Sequence, residues 1–281
     1  KEKVRKIKME KIKILVATHK KVKIKSFGKC YSLIQVGSKN AKNRFPYLHD
    51  DEGDNISEKN PTYCELTALY WAEKNIKAEY KGLCHYRRYL AKHYFSMNSY
   101  KNVFTEKELS DLCDKYDVLL PEKKYRGIEN AWYADEKELL NDRSYKFIYK
   151  AISEICPNYL KTLKKVFLDK KMFFCNVMIA RSDIFDEYCK WLFELEFHIE
   201  NILNENGGVW PRELGFYSEF LLNVWIEKNK DRFKIGYFPL ARVDRKKDLK
   251  QFWLTVLERT KVLYLAEKIK YEIIYMKKNR N

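Results

Sequence analysis

The chain has 281 residues and a mass of 34.0 kDa, the size of one large domain with room for an appendage. Its 46% hydrophobic and 15% aromatic content supplies enough apolar surface for a sizeable core and excludes a disordered chain. The formal net charge of +17 is confined to the two ends: residues 1–29 carry 12 basic and 2 acidic side chains, residues 228–281 carry 16 and 6, and the 198 between carry 28 and 31. A nucleic-acid enzyme would carry its positive charge along a groove near the chemistry, so no nucleic-acid partner is expected.

The run Lys1–Lys13 is charged at nearly every second position and has no apolar segment of the kind a secretory signal carries. The longest stretches without Asp, Glu, Lys or Arg are nine residues, Cys30–Ser38 and Met172–Ala180, about half of the roughly 20 a membrane-spanning helix needs. Seven cysteines, odd in number and without a CxxC pair, read as reduced core thiols. Together these predict a cytoplasmic protein.

Lys11–Thr18 alternates Ile12, Ile14 and Val16 with Lys11, Lys13 and Leu15, which predicts a strand, and Thr18, His19 and Lys20 follow at its carboxyl end. Asp50–Asn60 is a polar, acidic loop running into Asn60 and Pro61, with Asn60 the expected cap of a helix over Pro61–Asn75. A second strand starts at Tyr80 and leads through Cys84 into His85, Tyr86, Arg87, Arg88 and Tyr89, and a third covers Asp117–Leu120. Phe173–Ala180 is an apolar run of strand length, followed by a helix over Ile184–Asn204. Gly207 and Gly208 break the chain, and Gly215 is read as a turn leading into a helix over Tyr217–Lys228. Apolar residues at Leu249, Phe252, Trp253, Val256, Leu257, Leu263 and Tyr264 repeat at helical spacing, so residues 241–281 are expected to form a basic amphipathic helical extension beyond a domain at 1–240. That extension suits either a packed helix with solvated lysines or a helix lying on anionic lipid.

Strands alternating with helices predict an α/β domain with its ligand at the carboxyl ends of the strands. No GxGxxG or P-loop pattern is present. Two segments concentrate functional side chains. Gly82–Tyr89 (GLCHYRRY) sets two adjacent arginines beside a histidine and two tyrosines, a set that offers charge-assisted donors to a phosphate or diphosphate and aromatic faces to a base or sugar. An ordinary strand whose arginines pair with the acidic loop 50–58 is the competing reading. Asp54–Trp71 ends a polar loop at a helix N-terminus, where Asp54, Asn55, Ser57 and Asn60 face an anion-friendly end and Glu65 is placed to orient an arginine. By itself this second segment is also simply a capped helix.

Asn55–Trp71 (NISEKNPTYCELTALYW), Gly82–Tyr89, the block Asn176–Phe193 and Gly215–Lys228 together closely resemble a family of bacterial glycosyltransferases encoded in capsule, exopolysaccharide and O-antigen clusters and first catalogued as a domain of unknown function. The likeness runs from about Lys11 to Lys230. It implies a GT-A type fold and transfer from a nucleotide sugar, in one branch galactofuranose from UDP-galactofuranose. Under this resemblance Thr18, His19, Lys20, Asp54, Asn55, Ser57, Asn60, Glu65, His85, Tyr86, Arg87 and Arg88 are the expected donor-binding residues. Asn176 is expected to line the acceptor site, with an internal hydrogen bond as its alternative role. Glu219 is the expected general base of an inverting transfer, with a surface charge as the alternative.

Many GT-A enzymes hold Mn²⁺ or Mg²⁺ through Asp-x-Asp where this chain carries His85–Tyr89, so no metal cofactor is firmly expected. Arg87 and Arg88 stand in for it, although His85 with a carboxylate from the 50–58 loop is a possible ligand pair. The expected partners are a UDP-sugar, a glycan or lipid-linked acceptor and, through the basic ends, the inner face of the cytoplasmic membrane. A nucleic-acid or phosphate-binding module, which the charge balance of the middle disfavours, and an inactive scaffold of a polysaccharide assembly complex are the alternatives.

Overall fold

In a computed structural model, residues 9–22, 27–94, 96, 99–125 and 139–243 are described. The expected C-terminal amphipathic helix and the first eight residues lie outside them. Eleven strands occur among the described residues. Nine of these form one sheet. Its main path is β10 (Ile235–Phe238), β6 (Val118–Pro121), β9 (Met178–Arg181), β4 (Ala78–His85), β1 (Glu10–Thr18), β2 (Tyr31–Gln35) and β3 (Leu48–His49). β1 pairs in parallel with β2 and β4, while β9 runs antiparallel between β4 and β6. At the carboxyl end of β4 the chain reverses into β5 (Arg88–Leu90), which pairs with β11 (Leu240–Arg242). β11 spans residue 240, so the sheet continues to Arg242. β7 (Lys124–Tyr125) and β8 (Lys171–Met172) form a separate small ribbon.

The alternation in β1 explains why the sheet is covered on both sides. Ile12, Ile14 and Val16 enter one core with Tyr89, Leu109 and Leu119, whereas Leu15 and Ala17 enter a second, larger one. Helices α1 (Asn60–Tyr63) and α2 (Leu66–Asn75) lie on the larger side; after the short α3 (Ser99–Asn102), α4 (Glu106–Cys113) contributes to the smaller. The larger core also takes α5 (Arg143–Ile155), α6 (Leu160–Leu168), α7 (Ser182–Glu205) and α8 (Glu213–Asn229). Two buried faces require apolar residues on both sides of a central strand, which is the α/β arrangement expected from the sequence.

The structure differs from the sequence-based expectations at four places. The helix expected over Pro61–Asn75 is broken at Cys64, whose φ of 52° departs from helical geometry. Asn60 is not its cap: it is the first helical residue, and its amide donates to the Cys64 carbonyl at 2.7 Å across the break. The Phe173–Ala180 run is extended only from Met178, because Cys175 (φ 72°) and Asn176 (φ 24°) occupy the left-handed region. The Asn223 side chain, rather than a neighbouring strand, bonds both the N–H and the C=O of Phe173, at 3.1 and 2.8 Å. Gly215 lies inside the first turn of α8 instead of in a preceding turn. There a Cβ would come within 3.0 Å of the Cys64 Cβ, so glycine permits the close approach of α8 to the α1–α2 break.

Gly82, in the middle of β4, is tightly packed against the neighbouring strand: a Cβ would lie 2.8 Å from Ile179 Cγ1 and 3.1 Å from the Met178 carbonyl oxygen. The role of this first residue of the GLCHYRRY segment is therefore packing. Gly82→Ala is expected to destabilise the fold by about 1–3 kcal/mol, the cost of overpacking against neighbouring backbone, and to shift the urea midpoint without changing the slope. An unchanged midpoint would show that β9 yields without cost.

Candidate functional site

β1 and β4 are parallel and in register to their carboxyl ends, where Ala17 lies beside His85. The chain turns at Tyr86, whose N–H donates to the Ala17 carbonyl at 3.1 Å. This fixes the buried Tyr86 ring between His85, at 4.4 Å between centroids, and His19, at 5.7 Å edge-on. Lys20 Nζ and the Arg87 guanidinium lie 5.3 and 5.1 Å from the same ring, a cation–π arrangement on the face of an aromatic platform. The charge around this platform is recorded by the two histidines. Burial, then the positive charges of Arg88 and Arg87, His19 and Arg212, push His85 down to about 3. Burial, Lys20, Arg87 and Arg212 likewise lower His19. His85 is thus neutral, and its Nδ1 accepts from the Arg87 N–H at 3.4 Å. The field at these strand ends favours a ligand carrying negative charge.

A second group of side chains adjoins the first. The strained loop Cys175–Asn176, just before β9, directs the Cys175 N–H to the Glu219 carboxylate. The buried Asn176 amide donates to Ser218 Oγ at 2.8 Å, to Glu65 Oε1 at 3.1 Å and to the Gly215 carbonyl at 3.4 Å. Its carbonyl oxygen Oδ1 is buried with no hydrogen-bond partner among the described residues. Burial first, and then the charge of Glu65, raise Glu219 from 4.5 to about 7, against the opposing pull of the Cys175 N–H, Arg88 and Arg212. A carboxyl group balanced near neutrality beside a cationic platform suits proton transfer.

Of the sequence-predicted residues, the structure brings His19, Lys20, His85, Tyr86, Arg87 and Arg88 to the platform, and Glu65, Asn176 and Glu219 to the adjoining group. Glu65, expected to orient an arginine, accepts from Asn176 instead. The others make hydrogen bonds within the scaffold. Buried Thr18 spends its hydroxyl on the Lys20 carbonyl at 2.8 Å. Asp54 accepts from Tyr70 Oη at 3.2 Å, and its carbonyl accepts from Asn75, at the carboxyl end of α2. That end leads directly into the start of β4, away from the strand ends that carry the platform. Asn55 closes a turn with Gly53 and Ser57, and Ser57 Oγ donates to Asp50 at 2.6 Å.

The acidic loop is also not a partner for the platform arginines: Asp50 accepts from Gly37, Ser38 and Ser57, and Asp51 pairs with Arg44 at 2.6 Å. The expected pairing of His85 with a carboxylate from this loop is therefore not formed. Among the described residues no group of three or more His, Cys, Asp and Glu is placed to hold a metal ion. The positive charges of Arg87, Arg88 and Arg212 around His85 oppose a divalent cation there.

Sequence reasoning missed Arg212, Cys175 and Ser218. Arg212 has a left-handed backbone (φ 64°), its N–H donates to the Pro61 carbonyl at 2.9 Å, and its side chain hydrogen-bonds Cys64. Its charge acts on His19, His85 and Glu219 alike, so it links the two groups. The available signal was an arginine immediately before a helix that follows the Gly207–Gly208 break.

Residues 13–230 match the model of the family described as Domain of unknown function (DUF4422), and the chain belongs to that family. A search of curated proteins found no match. Among solved structures, one titled as the apo structure of the WbbM bifunctional glycosyltransferase is similar, with 28% sequence identity and a TM-score of 0.73 over 84% of this chain. The likeness covers 46% of that protein, so this chain spans less than half its length. The fold is α/β and GT-A-like.

The state of Glu219 can be read from stability alone. Because its carboxyl binds a proton more tightly folded than unfolded, its contribution to stability is complete below pH 4.5 and is lost as the pH rises to about 7. Glu219→Gln removes that loss. The variant is expected to melt with the wild type near pH 4 and above it at pH 7.5; a difference independent of pH would mean that Glu219 is not raised.

Proposed function

We propose that this member of the family is a glycosyltransferase that moves a sugar from a UDP-sugar to a glycan or lipid-linked acceptor in bacterial surface-polysaccharide synthesis, with galactofuranose the first donor sugar to test. The observation that carries this reading is the adjacency of a cationic aromatic platform to a carboxyl group poised near pH 7. The similar structure is titled a bifunctional glycosyltransferase, which supports the same class of reaction.

In this reading Lys20, Arg87, Arg88 and Arg212 hold the diphosphate and stabilise the charge that develops on it as the bond from the anomeric carbon to the phosphate oxygen breaks. Tyr86 and His19 offer faces to the nucleoside or sugar. Glu219 takes the proton of the acceptor hydroxyl as its oxygen bonds to the anomeric carbon from the opposite side, an inverting displacement. Asn176 positions Glu65 and the α8 backbone around that carboxylate. The cations take the place of a metal.

Arg87→Ala and Arg88→Ala are each expected to reduce transfer by the equivalent of about 2–4 kcal/mol, the cost of one lost donor to the transition state, with the fold retained. Glu219→Gln should keep UDP affinity, measured by calorimetry, and lose transfer. In the wild type, kcat should rise through pH about 7 as Glu219 ionises. Full turnover in the arginine variants, or a loss of UDP affinity in Glu219→Gln equal to the loss in rate, would overturn these roles.

The basic ends, each with a balance of +10, are assigned to the anionic membrane surface where a lipid-linked acceptor would reside. Among the described residues no helix is long and apolar enough to cross a membrane. Sedimentation with phosphatidylglycerol vesicles should weaken with added salt and be lost when residues 1–10 and 250–281 are deleted; unchanged sedimentation would leave the charge another role.

A further inference from the structure

The segment that leads into α8 and the first turn of α8 itself each carry a large aromatic side chain to the surface. Trp210 is 57% exposed and Phe216 is 51% exposed, although the rest of α8 packs Leu214, Tyr217, Leu221 and Trp225 into the core. Neither is a loose surface residue. Glu213, almost fully buried, accepts from the Trp210 N–H through one oxygen, and from Arg143 Nε and the Tyr217 hydroxyl through the other, each at 2.7 Å. Arg143 also donates to the Gly208 carbonyl at 3.0 Å, and its guanidinium stacks 4.1 Å from the centre of the Trp210 ring. The Arg212 guanidinium lies 5.0 Å from the centre of Phe216. Two aromatic rings are thus each backed by a fixed cation while much of their surface faces solvent, which costs hydration free energy unless a ligand uses it.

Their position says which ligand. Phe216 precedes Glu219 by three residues on α8, one helical turn, so the two share a face about 5–6 Å apart at Cβ. Arg212, over Phe216, is the same residue whose charge reaches Glu219 and the histidines of the platform. A group resting on Phe216 therefore lies beside the carboxyl group that the proposed reaction needs, on the side away from the buried core.

The chemistry around the rings is not that of a protein or lipid contact. Pro211 and the exposed Arg212 lie between the two rings in the chain, Gly207 and Gly208 precede Trp210, and the nearby Asn204 and Glu205 are exposed and polar, so the apolar surface is two separate ring faces rather than a continuous patch. Sugars have the matching character: one face of the ring presents C–H groups, which favour the electron-rich face of an aromatic ring, and the rim presents hydroxyls.

We infer that Trp210 and Phe216 form the acceptor platform, on which the rings of a glycan stack with a hydroxyl directed at Glu219. The inference rests on the proposed glycosyl transfer and assigns the part of that site that takes the acceptor.

The test uses the full chain with UDP present and three probes, methyl β-galactofuranoside, methyl β-galactopyranoside and lactose, followed by saturation-transfer NMR. At least one probe should receive saturation at its ring C–H protons. Trp210→Ala and Phe216→Ala should each weaken its binding about tenfold while Trp210→Phe retains most of it, because the flat face is what binds. UDP affinity should be equal in all variants. The inference is overturned if none of the probes binds the wild type, if the alanine variants bind them equally well, or if the variants lose UDP affinity to the same extent. It is also overturned if the wild type self-associates in sedimentation and Trp210→Ala abolishes that association, since the rings would then serve a second copy. Failure of UDP itself to bind would instead strike the proposed transfer, and the two outcomes remain separable.

Discussion

The carboxamide of Asn176 ties together three parts of the chain that are far apart in sequence. Its N–H groups reach Glu65 at the break between α1 and α2, Ser218 and the Gly215 carbonyl in the first turns of α8, and its own backbone leads into β9. One side chain thereby ties the helix pair and α8 to the start of β9. The depth at which Glu219 sits follows from it, because the same hooked backbone gives the Cys175 N–H to that carboxylate. Holding two successive non-glycine residues in the left-handed region costs of order 1–2 kcal/mol each. Burial of the Asn176 hydrogen bonds and of Phe173, clamped by Asn223, offsets that cost.

Charge is distributed around this junction with the same economy. Cations gather at the ends of β1 and β4 and carboxylates at the start of α2 and in α8, so each group sharpens the other. Crowding by guanidinium groups holds His85 neutral, which makes it an acceptor for the backbone of its own turn instead of another positive charge. Crowding by Glu65 and by apolar neighbours keeps the Glu219 carboxyl close to half-protonated, while Arg88 and Arg212 prevent it from becoming permanently neutral. Arg88 and Arg212 belong to both groups. An arginine, unable to lose its proton at any ordinary pH, suits a position whose task is a constant field.

The packing that supports the junction depends on small residues placed where larger ones would intrude. Gly215 lets α8 approach the broken helix and Gly82 lets β9 lie flat on β4. These are close-contact roles, and neither glycine has a left-handed backbone. Arg212, by contrast, accepts the left-handed conformation without being glycine, with its N–H bonded to Pro61 and its side chain to Cys64. The junction is therefore closed from both ends of the chain.

The apolar alternation of β1, the long helix over residues 182–205 and the arginine pair after β4 were legible in the sequence because each depends on residues close together in the chain. Short-range patterning also placed His19, Lys20, His85 and Tyr86 at strand ends, and Glu219 near the start of a helix. It gave β2 no signal, since Tyr31, Leu33 and Ile34 alternate irregularly in the uncharged run Cys30–Ser38. It assigned Asp54, Asn55, Ser57 and Asn60 to the ligand because they are polar and precede a helix. Only the tertiary structure shows that these side chains hydrogen-bond Tyr70, Gly53, Asp50 and Cys64 within the scaffold. The break at Cys64, the hooked Cys175–Asn176 backbone and the reach of Arg212 were likewise invisible, for one reason. Each is a conformation that the local sequence disfavours and that contacts distant in the chain make affordable, so sequence determined the elements and their candidate chemistry, and long-range packing decided which side chains meet.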